Sequence, residues 1–89
     1  MKIKVFGKNN CAKCETTKNK LKHFITRWEM EHKVNIVFHD MESVDGIAEG
    51  AYHDVGEIPT TIIEKDDRVV ARWEGEVPHS EHVKMHLTV

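Results

Sequence analysis

KNNCAKCETT, residues 8–17, separates an alternating apolar run from a long amphipathic one, and it holds the only two cysteines of the chain. A Cys-x-x-Cys pair admits three readings: two ligands of a metal, the halves of a switchable disulfide, or two small buried hydrophobes. The flanks of the pair narrow the choice and lay out the fold. Upstream, Lys2 to Phe6 alternates polar and apolar residues with the period of a strand, and Gly7 to Asn10 is polar and turn-like. Downstream, a helix is predicted from Ala12 to about Glu31, with Asn10 as N-cap, Cys11 at the first helical position and Glu15 in the first turn. Leu21, Phe24, Ile25 and Trp28 form its apolar stripe.

The remaining elements follow from the same patterns. Val34 to His39 is rich in strand-forming residues. Val44, Ile47, Ala48, Ala51 and Tyr52 recur at helical spacing and predict a second amphipathic helix, with these five residues, Tyr52 included, as its buried stripe. Gly46 and Gly50 each weaken that helix by about 1 kcal/mol relative to alanine, and Gly56 stops it. Ile58-Pro59 leads into a strand from Thr60 to Glu64. Lys65-Asp66-Asp67 makes a tight turn, and Val69 to Trp73 pairs back as a hairpin. Gly75 breaks that strand, and a last helix runs from about Ser80 to Leu87.

The order β-α-β-α-β-β-α predicts an α/β fold: a parallel, right-handed β-α-β unit followed by a hairpin and a helix. Together they make a mixed four-stranded sheet with helices on both faces. Residues 1–89 form one domain, since 89 residues leave too little interior for a second core. The Cys pair falls at the carboxyl end of the first strand, where open α/β sheets place their chemistry.

Composition excludes several functions. At 39% hydrophobic and 31% charged residues the chain is ordinary for a globular protein. A formal charge of −2 provides no attraction for nucleic acid or an anionic membrane. No apolar run approaches the roughly 20 residues of a spanning helix, and Met1 to Phe6 reads directly into structure without a secretory core. A cytoplasmic location is therefore expected. There, a lone Cys-x-x-Cys is more often catalytic or metal-binding than a permanent staple.

At the mouth of a helix, the Cys11 sulfur lies near unsatisfied N–H groups and the positive end of the dipole, which favour thiolate over thiol. Cys14 follows one turn later on the same face, where a disulfide can close with little backbone movement. The intervening Lys13 can add to the stabilisation of the thiolate or point into solvent.

CAKC at a strand-to-helix junction, with EIPTTII at residues 57–63 and then EKDDRVVARWEG at 64–75, resembles the thioredoxin and glutaredoxin superfamily over nearly the whole chain. The resemblance implies a thiol–disulfide oxidoreductase with Cys11 as nucleophile and Cys14 as resolving thiol. It also implies a cis Pro59 lying against the pair, Ile58 backbone atoms available to a substrate peptide, and Thr60 lining the groove. Lys8, three residues before the first cysteine, is glutaredoxin-like and a possible modulator together with Lys13. Implied partners are protein disulfide substrates and a thioredoxin-reductase-type or low-molecular-weight thiol reductant, with no cofactor, no metal and a monomeric state. The chain departs from both subfamilies. Asn10 stands where thioredoxins have tryptophan, Ala12-Lys13 where they have Gly-Pro, and Lys4-Val5-Phe6 holds no buried acid. After the hairpin, Gly75-Glu76 replaces the Gly-Gly of glutaredoxins.

Two other classes are compatible with the pair. Soft Cu(I) can be held by two thiolates, so a Cu(I)- or Zn(II)-handling protein is one alternative. Structural zinc wants four ligands and there is no second Cys-x-x-Cys. A redox-inactive adaptor is the other alternative. His79, His82 and His86 share a face of the last helix with Val83 and Leu87 and can serve as packing residues. His39, at a strand end, is the histidine nearest the motif's end of the sheet. Trp28 and Trp73 are expected in the core.

Overall fold

The computed structural model describes residues 1–87. It consists of β1 (Lys2–Gly7), α1 (Ala12–Arg27), β2 (Asn35–Asp40), α2 (Val44–Tyr52), β3 (Thr60–Lys65), β4 (Arg68–Glu74) and α3 (Ser80–Leu87). The strands form a four-stranded sheet in the order β2-β1-β3-β4. β1 pairs parallel to β2, whereas the β1–β3 and β3–β4 pairs are antiparallel. The β-α-β unit thus occupies one half of the sheet and the hairpin the other, as the order of elements predicts.

Alternation along β1 assigns the two faces. Ile3 and Val5 are buried with Leu21 and Ile25 of α1, Ile63 of β3, and Val83 and Leu87 of α3. Lys4 turns the opposite way, toward α2. α1 and α3 therefore cover one face and α2 the other. Trp28 and Trp73 border the first core, half-buried, and Phe24 stacks on Trp28 with ring centroids 5.2 Å apart.

α1 is shorter than its apolar periodicity suggests. Trp28 is its C-cap, and Glu29 has φ 56°. Met30 N–H donates to Ile25 O and Glu29 N–H to Thr26 O, both at 3.0 Å. This is a Schellman ending, with glutamate at the left-handed position that usually belongs to glycine. An L-residue costs about 1–2 kcal/mol there, and glycine returns part of that gain through its freer unfolded chain. Glu29→Gly is expected to raise stability by about 0.5–1 kcal/mol, or roughly 4 °C in melting temperature, measurable by thermal unfolding followed by circular dichroism. The hairpin turn has a related feature: Asp66 and Asp67 both have positive φ, at 53° and 63°, as a two-residue type I′ turn requires.

α2 corrects the sequence reading most. Its residues are helical, but the helix is turned the other way. Val44, Ile47 and Tyr52 are 83%, 52% and 80% exposed, and Ala48 and Ala51 are exposed with them. The side packed on the sheet carries Gly46, Gly50, Glu49 and, just past the helix, His53. Polar groups on the sheet explain the choice. Lys4 Nζ lies 2.9 Å from Glu49 Oε1, 3.1 Å from His53 Nε2 and 3.2 Å from Glu64 Oε2. Arg72 donates to the carbonyl oxygens of His53 and Asp54, satisfying the C-terminal end of the helix. At the other end the Ser43 hydroxyl accepts from Gly46 N–H at 2.9 Å. Lys4 cannot be left unpaired on a covered face, so α2 brings its carboxylate inward and its apolar residues face out.

This cluster gives stability a definite pH dependence. Burial alone would lower the Lys4 pKa, but its hydrogen bonds and charge interactions with Glu49 and Glu64 outweigh burial and raise it. The hydrogen bond from Lys4 holds Glu49 below the usual carboxylate range, against the effect of desolvation. Burial pushes the His39 imidazole down. By linkage, the raised Lys4 contributes stability that is present below its unfolded pKa of about 10.4 and lost above it. The lowered Glu49 contributes stability that is lost as pH falls below about 4, and the lowered His39 destabilises the fold once unfolded imidazole protonates, below about pH 6.5. Urea unfolding midpoints are expected to plateau between these limits and fall on either side. Lys4→Met is expected to remove the alkaline decline.

Candidate functional site

β1 ends at Gly7, where an added Cβ would lie 2.7 Å from Cys14 Sγ. No side chain fits there, and the absence of one lets the strand end press directly on the Cys14 sulfur. The polar residues Lys8 to Asn10 then turn the chain into α1. Cys11, not Asn10, is the N-cap. It has extended φ/ψ of −118° and 111°, and its Sγ accepts a hydrogen bond from Cys14 N–H at 3.2 Å. The sulfur thus occupies the place of a capping oxygen. This position is better suited to stabilising a thiolate than the first helical residue would be, because an amide hydrogen points at the sulfur itself in addition to the dipole.

The two cysteines are joined in a disulfide with Cα atoms 5.2 Å apart, within the usual range for such a bond. Their environments differ. Cys14 is fully buried, against Gly7, while Cys11 is partly exposed. An incoming reagent therefore meets Cys11 first.

The proline segment arrives at the same end of the sheet. Antiparallel pairing sets Phe6 opposite Thr60, which leaves Pro59 across from Gly7, the residue that touches Cys14. The Ile58–Pro59 peptide is cis and Pro59 is fully buried. Gly75 N–H donates to the Pro59 carbonyl at 2.8 Å. Among the described residues no backbone hydrogen bond engages Ile58. Thr60 is fully buried and its hydroxyl donates to Glu57 O at 2.6 Å. Its side chain ties down the proline loop and does not line an open groove, a correction to the expected lining role.

Lys8 and Lys13 are both exposed. His39 lies across the sheet from the pair, stacked on Phe6 at 4.8 Å, with its Nε2 buried and unpaired among the described residues. His79 and His82 meet edge to face at 5.6 Å, and His86 packs against Trp73.

Sequence reasoning missed Gly7 and Thr17. Thr17 lies one turn after Cys14 on the buried stripe Cys14, Thr17, Leu21 and Ile25. It is fully buried, with no hydrogen-bond partner for its hydroxyl among the described residues. Its spacing from Cys14 was the available signal, since a polar residue at offset three from a buried cysteine must share its side of the helix.

A cysteine capping a helix after the first strand, a buried second cysteine one turn on, and a cis-prolyl loop across the strand end define a thioredoxin-like redox protein. A family model described as "Thioredoxin domain" matches residues 1–88, and the chain belongs to that family. Solved structures agree in fold. Thioredoxin 1 from the thermophilic eubacterium Thermosipho africanus superimposes with a TM-score of 0.77 at 21% identity, covering 98% of this chain and 94% of that one. Fasciola hepatica thioredoxin gives 0.74 at 18% identity, covering 98% and 77%. A malarial protein gives 0.79 at 14% identity, covering 97% and 91%. No curated protein sequence matches the chain.

Proposed function

We propose that the protein is a dithiol–disulfide oxidoreductase that reduces protein disulfides. The reading rests above all on the unequal exposure of a sulfur pair already at bonding distance, with the accessible member on the helix N-cap. In the reduced protein the Cys11 thiolate attacks one sulfur of a substrate disulfide. A Cys11–substrate bond forms, the substrate S–S bond breaks, and the departing sulfur takes the electron pair and a proton. Cys14, deprotonated, then attacks the Cys11 sulfur. The second substrate sulfur leaves as a thiol, and the Cys11–Cys14 bond stores the two electrons' worth of oxidation. Ile58, with its backbone unengaged, offers the substrate peptide an edge beside Pro59. A reductase of the thioredoxin-reductase type, or a low-molecular-weight thiol, recharges the pair. The protein acts as a monomer in the cytoplasm and needs no cofactor beyond the disulfide.

With dithiothreitol as electron source, the protein is expected to accelerate insulin reduction, seen as earlier precipitation of the B chain. A rate equal to that of dithiothreitol alone would remove the main support for this function.

A further inference from the structure

α2 carries its apolar residues outward although both of its ends are firmly held. By helical geometry, Val44, Ile47, Ala48, Ala51 and Tyr52 span an arc of about 140°, as wide as the stripe by which a helix normally joins a core. The inner side is fixed by Lys4, Arg72 and the Ser43 cap, so the outward face is not free to roll under. Exposed apolar surface of this kind marks an interaction site.

Charge indicates what covers it. Between Val34 and Glu64 the chain has no lysine or arginine, so all 13 of its basic residues lie elsewhere. Glu42 and Asp45 at the start of α2 and Asp54 just beyond its end are exposed. The two cations that reach the helix, Lys4 and Arg72, are engaged on its inner side and at its C-terminal carbonyls. The apolar face thus has an acidic rim, and among the described residues the cations that reach the helix, Lys4 and Arg72, are bonded away from that face. A second copy docked α2 against α2 would set these rims against each other, which is unfavourable.

We propose that the outer face of α2 docks a partner protein that presents an apolar surface rimmed by lysine or arginine. The surface is independent of the Cys pair, although Met41 N–H donates to Gly7 O at 2.8 Å and so joins the start of α2 to the strand end beneath Cys14.

Two synthetic amphipathic helical peptides with the same leucine face, one rimmed by lysine and the other by glutamate, provide the probes. Titrated into the ¹⁵N-labelled protein, the lysine peptide is expected to shift the amides of Val44, Ile47, Ala48 and Ala51. It should bind at least tenfold more tightly than the glutamate peptide and weaken as salt is added. A Val44→Ser, Ile47→Ser, Tyr52→Ser variant should lose at least tenfold in affinity while its melting temperature stays close to that of the parent. Cys11→Ser, Cys14→Ser protein should bind as the parent does, so this result stands apart from the test of redox function. Equal affinity for the two peptides, shifts centred elsewhere, or undiminished binding by the triple-serine variant would overturn the proposal. So would sedimentation showing a dimer of the parent that the triple-serine variant cannot form, because the occupant would then be a second copy.

Discussion

Cys11→Ser is expected to lose disulfide turnover completely, leaving insulin reduction at the rate of dithiothreitol alone. The substitution isolates chemistry from structure unusually well. Serine is a favoured N-cap residue, and its oxygen can accept the Cys14 N–H that the sulfur accepts now. The helix should therefore keep its cap, and melting should shift only by what the lost disulfide contributes. That contribution is read separately by melting the parent protein in reductant. Cys14→Ser is expected to fail differently. It retains the exposed nucleophile and removes the thiol that releases it, so it should accumulate a mixed disulfide with substrate, detectable as a summed mass that reductant collapses. If Cys14→Ser were inert and Cys11→Ser trapped substrate, the roles drawn from exposure would be reversed.

Gly46→Ala is expected to destabilise the protein by about 2 kcal/mol, lowering the melting temperature by roughly 8–16 °C. Helix propensity alone argues the other way, since alanine is favoured over glycine by about 1 kcal/mol within a helix. Packing decides the sign. A Cβ at Gly46 would stand 1.8 Å from the backbone oxygen of Asp40, and that oxygen accepts the hydrogen bonds of Ser43 Oγ at 2.7 Å and Ser43 N–H at 3.0 Å. Relief requires moving the β2–α2 junction and the cap of α2 with it. Gly50 provides the control. There a Cβ would crowd the Cε and Sδ atoms of Met41, at 2.6 and 2.9 Å, and touch Val55 Cβ at an ordinary 3.7 Å, and a methionine side chain can swing aside. Gly50→Ala is expected to be neutral or stabilising. Chemical denaturation of both variants tests the pair. Equal effects at the two positions would contradict the packing of α2 described above.

The contrast also marks where the sequence is readable. The strands and the bounds of α3 could be predicted because period and turn residues agree locally: Lys2 to Phe6 alternates, and Lys65 to Asp67 turns. The end of α2 could not: the helix stops at Tyr52, and Asp54, not Gly56, takes the positive φ beyond it. The Cys pair could be placed at the carboxyl end of β1 because β1 must run into α1, whereas Pro59 was set beside it only by the resemblance to the thioredoxin and glutaredoxin superfamily. The orientation of α2 could not be predicted. Its apolar periodicity is genuine, but which side packs inward depends on Lys4, forty-five positions before Glu49, and a charge under a helix leaves no trace in that helix's own pattern. The identity of the cap was missed for a related reason. Asn10 is the better capping residue by type, yet Cys11 takes the position because Cys14 N–H must meet its sulfur. Thr60 illustrates the third limit: its hydroxyl's partner, Glu57 O, is a contact of the folded loop alone.

Thiol–disulfide exchange by this protein requires Cys11 and Cys14 to behave as one reversible couple. Equilibrating the protein across glutathione and dithiothreitol redox buffers, then alkylating and weighing it, measures this directly. The expected result is a single two-electron transition in which both thiols appear together, with the same midpoint approached from the oxidised and the reduced side. Thiols that titrate separately, or a pair that remains reduced in every buffer, would contradict it.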